Sequence, residues 1–280
     1  MFSSKILVRI PAAAFLCLSC FVLILPEQAV SGQETLTLVQ LCDPQFGFGT
    51  DGIAADKQRF KQAIRQINAL KPDAVLIAGD FVNEINDEKS VIEFNEMLKS
   101  IRFPVVLTAG NHDLPDPVTP EGLQRYRSRY GEDFQTMECK GYLIISANSQ
   151  LWRAAPKEES GQHQQKLQKS LQGAKTQGKP VILMTHVPPF VKSPDEKDGY
   201  YNLPNKQRTE ILRLCEENGV IFWLAGHTHR TARRNYNSIA ILNGETTSRN
   251  ADKRPAGYRV LTIKPDRSFE WDFVPLETVP

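Results

Sequence analysis

The chain has 280 residues, of which 41% are hydrophobic and 24% charged. That is ordinary globular composition with enough apolar side chains for one sizeable core. A formal net charge of +2 excludes a broad nucleic-acid-binding or polybasic membrane-binding face, so an anionic substrate would have to be held by a local site.

The N-terminus reads as a targeting segment. Lys5 and Arg9 precede the almost wholly apolar run PAAAFLCLSCFVLIL, and the small residues Ala29 and Ser31 follow. This charged, apolar, small-residue order predicts a secretory signal peptide over residues 1–31, cleaved after Ser31, with the working domain over 32–280. The alternative is an uncleaved membrane anchor, for which the run is short. A lipoprotein anchor at Cys20 fits less well, because apolar sequence continues beyond it. In each case the remainder is expected to be exported, periplasmic or secreted, or anchored at a membrane, with no other membrane contact. Cys42, Cys139 and Cys215 form no paired spacing and are read as buried thiols.

From Glu34 onward, apolar runs alternate with helical patterns. TLTLVQLC (35–42) reads as a strand, and Ile53 to Leu70 as a helix with Phe60, Ile64, Ile67 and Leu70 on one face. AVLIAG (74–79) and VVLTAG (105–110) are continuous apolar runs, as expected of strands buried on both faces. Between them Val91, Phe94, Met97, Leu98 and Ile101 repeat at helical spacing. A mixed segment follows, then a strand at YLIISANS (142–149). Gly161 to Gln177 is a polar, Gln- and Lys-rich helix in which His163 reads as a solvated surface residue. VILMTH (181–186) and VIFWLAGH (220–227) are two more buried strands, separated by a polar, proline-rich loop and an amphipathic helix at Asn205 to Asn218. SIAILNG, GYRVLTIK and SFEWDFVPL close the chain as short strands. The pattern predicts one α/β domain with two packed sheets flanked by helices.

The chemistry collects where these strands stop. Asp43 ends the first, Asp80 the second, and Asn111, His112 and Asp113 the third; His186 ends VILMTH, and His227 and His229 end VIFWLAGHTH. A lone Asp after a strand is usually a cap or turn residue, and a lone His is usually a satisfied buried imidazole. Here, however, four of the five histidines lie at strand ends, where open α/β sheets bind ligands. Carboxylate, imidazole and amide oxygen without thiolate suit Mn, Fe or Zn. The supply exceeds one tetrahedral ion and fits a pair of divalent or trivalent cations.

Asp43-Pro44-Gln45, Gly79-Asp80, Gly110-Asn111-His112-Asp113, His186 and Gly226-His227-Thr228-His229 occur in that order. The series resembles the calcineurin-like metallophosphoesterase superfamily from about residue 36 to 273. DPQFG, NSQLW and HVPPF…DGYYNLP are similar to its Ser/Thr phosphatase subgroup with a DPQ opening. The resemblance implies a four-layer α/β/β/α sandwich with metals at the strand ends. It implies Asp80 as the bridging carboxylate, Asp43, Gln45 and His229 on the first ion, and Asn111, His186 and His227 on the second. It implies His112 as the acid that protonates the leaving oxygen, a role suited to a side chain that titrates near neutral pH. The expected reaction is two-metal hydrolysis of a phosphoester, either a phosphomonoester such as a phosphoprotein or a phosphodiester on a nucleotide or lipid headgroup. A non-catalytic metal-binding module is the reading from another class, and retention of His112 argues against it.

Three departures from the superfamily stand out. Gln45 occupies the place of a usual His. Asn83 and Glu84 replace the Asp-Arg that follows the GD motif in many protein phosphatases. No substitute phosphate-binding arginine is obvious, with Arg153, Arg230 and Arg249 near the motifs as candidates.

Overall fold

The computed structural model describes residues 34–153 and 156–277; the expected signal peptide at 1–31 lies outside the described residues. Continuous apolar runs become strands whose alternate residues feed different cores. In β1 (Leu36–Leu41), Val39 and Leu41 face one cluster, while Leu36 and Leu38 face another. In β2 (Ala74–Ile77), Val75 and Ile77 divide from Ala74 and Leu76 in the same way. The period-2 geometry of a strand leaves no polar face when both sides are covered. These runs are therefore the signature of an inner sheet layer.

One sheet has the order β11 (Phe269–Pro275), β10 (Gly257–Ile263), β1, β2, β3 (Val105–Leu107), with β1, β2 and β3 parallel. The second runs β4 (Phe134–Cys139), β5 (Tyr142–Ala147), β6 (Val181–Met184), β7 (Val220–Ala225), β9 (Ile239–Asn243), β8 (Ala232–Tyr236). Its central strands β5, β6, β7 and β9 are parallel. The sheets pack face to face through residues such as Leu38, Leu76, Ile144, Ile182, Phe222 and Leu242.

Helices α1 (Ile53–Leu70), α2 (Glu88–Leu98) and α3 (Pro120–Tyr130) cover the outside of the first sheet. Helices α4 (Lys157–Thr176) and α5 (Asn205–Glu217) cover the second. This is the expected two-sheet α/β sandwich. On α1 the buried face is Phe60, Ala63, Ile64 and Ile67, whereas Leu70, expected on that face, is exposed at the last turn.

The mixed segment resolves into α3 and β4. Thr119 caps α3 by accepting a hydrogen bond from the Gly122 N–H, and Pro120 sits in the first turn, where its missing N–H costs nothing. Cys42 and Cys215 are buried as expected, whereas Cys139, on the edge strand β4, is only half-buried.

The reading of His163 as a solvated residue is corrected. Its ring is 3% exposed and packs edge-on against Trp152 and Phe134, with centroids 5.3 and 5.4 Å away. The otherwise polar α4 turns His163, Leu167, Leu171 and Ala174 toward the second sheet. Burial pushes the His163 pKa down to about 4, against the opposing pull of Asp133. The imidazole is thus neutral in the fold and protonates more readily once unfolded. Stability is therefore complete above the ordinary pKa of 6.5 and is lost as pH falls toward 4, on the order of 3 kcal/mol from this group. Urea midpoints of the wild type and His163→Leu at about pH 7 and about pH 4.5 check this. The variant is expected to lose less stability on acidification, and equal losses would refute the assignment.

Candidate metal centre

Strands β1, β2, β3, β6 and β7 deliver their chemistry two to six residues past their ends, much of it in backbone that is turned sharply. Asp43, Gln45, Asp80, His227 and His229 all have positive φ, at 47°, 36°, 52°, 68° and 50°. They are half of the ten non-glycine residues in that region among the described residues. Such conformations cost of order 1–3 kcal/mol each and persist where the surroundings impose them, commonly at functional sites. Two glycines beside these residues have no room for a side chain. A Cβ at Gly110 would lie 2.0 Å from Asp80 Oδ1, and one at Gly226 would lie 2.6 Å from Asp43 Oδ2.

Asp113 holds these turns together. Its carboxylate accepts from the main-chain N–H groups of Asp80 (2.8 Å), Gly110 (2.8 Å) and Phe81 (2.9 Å). Burial and the nearby Asp80 charge push its pKa up to about 7 despite those bonds. The sequence placed Asp113 among the strand-end residues; its work here is to staple the β2 and β3 loops.

The three histidines past β6 and β7 share one design. His186 Nδ1–H donates to the Ala78 carbonyl at 2.7 Å, His227 Nε2–H to Tyr200 O at 2.9 Å, and His229 Nδ1–H to Arg249 O at 2.9 Å. Each bond fixes the ring and turns its other nitrogen toward the site. His186 Nε2 then has Asn111 Oδ1 at 3.1 Å, His227 Nδ1 at 3.1 Å and Asp80 Oδ2 at 3.2 Å. Asp80, His186 and His227 each present a donor atom within 4.8 Å of the others. His229 Nε2 lies 3.4 Å from Asp43 Oδ1, which is itself 3.9 Å from His186 Nδ1.

This is a crowd of lone pairs, and one proton cannot satisfy it. Burial disfavours the His186 cation, but Asp80 and Asp43 outweigh it and push the pKa up to about 9. Burial together with the His186 charge pushes His227 down to about 3. Burial also opposes ionisation of Asp80, yet His186 and the His112 N–H hold its carboxyl below the usual range. The buried acceptors thus seek positive charge, and their oxygen and imidazole chemistry suits a divalent metal ion.

Gln45 lies in the same site as Asp80 and His229. Its Nε2 donates to Asn83 Oδ1 at 3.2 Å, and its Oε1 is buried with no hydrogen-bond partner. The orphaned oxygen is the type of donor a hard cation takes, though weaker than imidazole. Gln45→His is expected to convert a readily exchanged first ion into a firmly held one. Metal analysis after dialysis of both proteins checks this; equally firm retention of two ions by the wild type would rule out the weak-ligand role.

His112 stands apart from the cluster. Its Nδ1 is 2.7 Å from the Asn83 main-chain carbonyl, and its own N–H donates to Asp80 Oδ1 at 2.9 Å. Asn83 thus meets His112 through its backbone oxygen, while its side chain is spent on Gln45 and Glu84. A cavity of about 240 Å³ opens over Gln45, Asp80, His112, His227 and His229, rimmed by Phe48, Tyr200, Tyr201 and Arg249. Tyr200, which sequence reasoning did not single out, also accepts from Asn111 Nδ2 at 3.3 Å through its hydroxyl. Of the three candidate arginines, Arg249 lines this cavity. Arg153 lies 5.5 Å from the Tyr200 ring, in a neighbouring groove beside Asn111, and Arg230 lines neither.

Comparison with known proteins places the arrangement. The family model for calcineurin-like phosphoesterases matches residues 43–231. A serine/threonine-protein phosphatase CPPED1 from Danio rerio is 27% identical over 247 residues, covering 80% of each chain. A probable cyclic nucleotide phosphodiesterase from Synechococcus is 24% identical over 201 residues, covering 71% of this chain and 74% of its own. Among solved structures, a dimetal phosphatase from Danio rerio superposes with a TM-score of 0.61 at 13% identity, covering 82% of this chain and 93% of that one.

Proposed function

The chain belongs to the calcineurin-like phosphoesterase family, and from that premise we propose that it is an exported phosphomonoesterase working with two cations, Mn, Fe or Zn, on phosphorylated protein. The observation that carries the reading is the shared cavity. Gln45, Asp80, His227 and His229 line it together with His112, whose ring is oriented but not consumed by the acceptor cluster. Asp43, Gln45 and His229 would hold one ion, Asn111, His186 and His227 the other, and Asp80 both. When bound, such a pair polarises phosphoryl oxygens and makes water acidic enough to attack near neutral pH.

The chain's own residues supply the rest. The Asn83 carbonyl fixes the His112 Nδ1–H, so that Nε2 is the atom from which the leaving oxygen takes its proton. The Ala78, Tyr200 and Arg249 carbonyls keep the three other imidazoles from rotating away. Export rests on the charged, apolar and small-residue order of the N-terminus.

A phosphodiesterase is the second reading, favoured by Asn83 and Glu84 standing where relatives carry Asp-Arg, and in keeping with the phosphodiesterase resemblance. Turnover of p-nitrophenyl phosphate against bis-p-nitrophenyl phosphate with added Mn tests all three readings. Monoester preference supports the proposal and diester preference supports the alternative. Absence of turnover in metal-loaded protein would return the chain to a binding module.

A further inference from the structure

We propose that Arg249 is the phosphate anchor of this site and the residue that selects monoesters over diesters. The inference rests on the phosphoester-hydrolase reading and names the charge that reading lacks. Arg249 is the sole lysine or arginine lining the cavity shared by Gln45, Asp80, His112 and His229 among the described residues. It lies in a short segment whose flanking residues are tied to the fold. Ser248 Oγ donates to the Asp43 carbonyl at 3.0 Å, Asn250 bonds the Thr246 N–H and the Pro255 carbonyl, and the Ala251 N–H donates to His229 O at 2.7 Å. Ser248 and Asn250 are buried on either side, while the Arg249 side chain is exposed.

The guanidinium rests 5.1 Å from the centre of the Phe48 ring, which itself packs 4.7 Å from the His229 ring. That stacking holds a planar fork at the cavity rim at little entropic cost. No carboxylate lies within ion-pair distance of it among the described residues, so its charge is free for a ligand. Arg153 is set against Tyr200 in the neighbouring groove, and Arg230 is outside both.

The choice of substrate follows from charge. If two phosphoryl oxygens faced the cations that Asp43, Asp80, His186, His227 and His229 would hold, the remaining terminal oxygen of a monoester would be anionic near pH 7. In a diester that position is an esterified oxygen. A guanidinium gains a charge-assisted bond only with the first.

Isothermal titration of Mn-loaded protein with inorganic phosphate reads the anchor without turnover. Arg249→Ala is expected to weaken phosphate binding about 10–100-fold, with Mn content unchanged because the Arg249 carbonyl that holds His229 remains. In turnover, kcat/KM for p-nitrophenyl phosphate should fall by a similar factor, while that for bis-p-nitrophenyl phosphate changes less than about threefold. Arg249→Lys should recover part of the phosphate affinity, and Arg230→Ala should match the wild type. Unchanged phosphate affinity in Arg249→Ala would overturn the assignment. So would equal losses on both esters with loss of Mn, which would show that the residue acts only through His229. A failure of the hydrolase reading shows separately, as a wild type that binds phosphate through Arg249 yet turns over neither ester.

Discussion

Asp80→Asn is expected to remove hydrolysis by at least about 10³-fold and to take most of the bound metal with it, since the cations supply several kcal/mol of transition-state stabilisation. Asp80 is the carboxylate at the middle of the acceptor cluster. One oxygen stands 3.2 Å from His186 Nε2 and the other accepts the His112 N–H. An amide keeps the shape and one acceptor, so the His112 loop can stay in place, but it removes the charge that both ions would share. In the metal-free variant two effects oppose each other: buried Asp113, which the Asp80 charge helps to push up to about 7, is relieved, while buried His186 loses its carboxylate partner. Metal content, p-nitrophenyl phosphate turnover and a thermal melt measured on the same preparation decide the matter. A folded variant that keeps near-normal metal and rate would sink the two-metal reading.

His112→Ala should separate chemistry from metal binding. The imidazole is anchored at one nitrogen by the Asn83 carbonyl and takes no part in the lone-pair cluster. Its loss should therefore lower the rate by about 10²–10⁴ with metal content near normal. The deficit should shrink as the leaving group becomes more acidic, since a stable phenolate needs no proton. A deficit that is constant across aryl phosphates of graded leaving-group pKa would assign His112 to positioning instead. Depletion of metal in the variant would place it among the ligands.

The sequence by itself determined the layered architecture and the roster of strand-end residues. A strand covered on both faces must be apolar at every position, so β2, β6 and β7 announce themselves as unbroken runs. The polar letters that follow those runs, Asp43, Asp80, Asn111, His186, His227 and His229, mark where the strands have ended. The glycines beside them follow from the same crowding, since Gly110 and Gly226 leave no room for a Cβ.

What only the tertiary structure decided lies where the physics carries no distinctive letter. The edge strands β4 and β8 are half-exposed and polar, and they become strands only because a neighbour offers its hydrogen-bonding edge. His163 is buried because Trp152 and Phe134 meet it there; its helical spacing from Leu167 and Leu171 puts it on the inward face, a signal masked by the polarity of the rest of α4. The carbonyls of Asn83, Ala78, Tyr200 and Arg249 orient all four functional imidazoles. Every residue carries a carbonyl, so its position in space, and not its side chain, makes it functional. Arg249 belongs to the same class: three arginines stood near the motifs in the chain, and folding brought only this one to the cavity that holds His112.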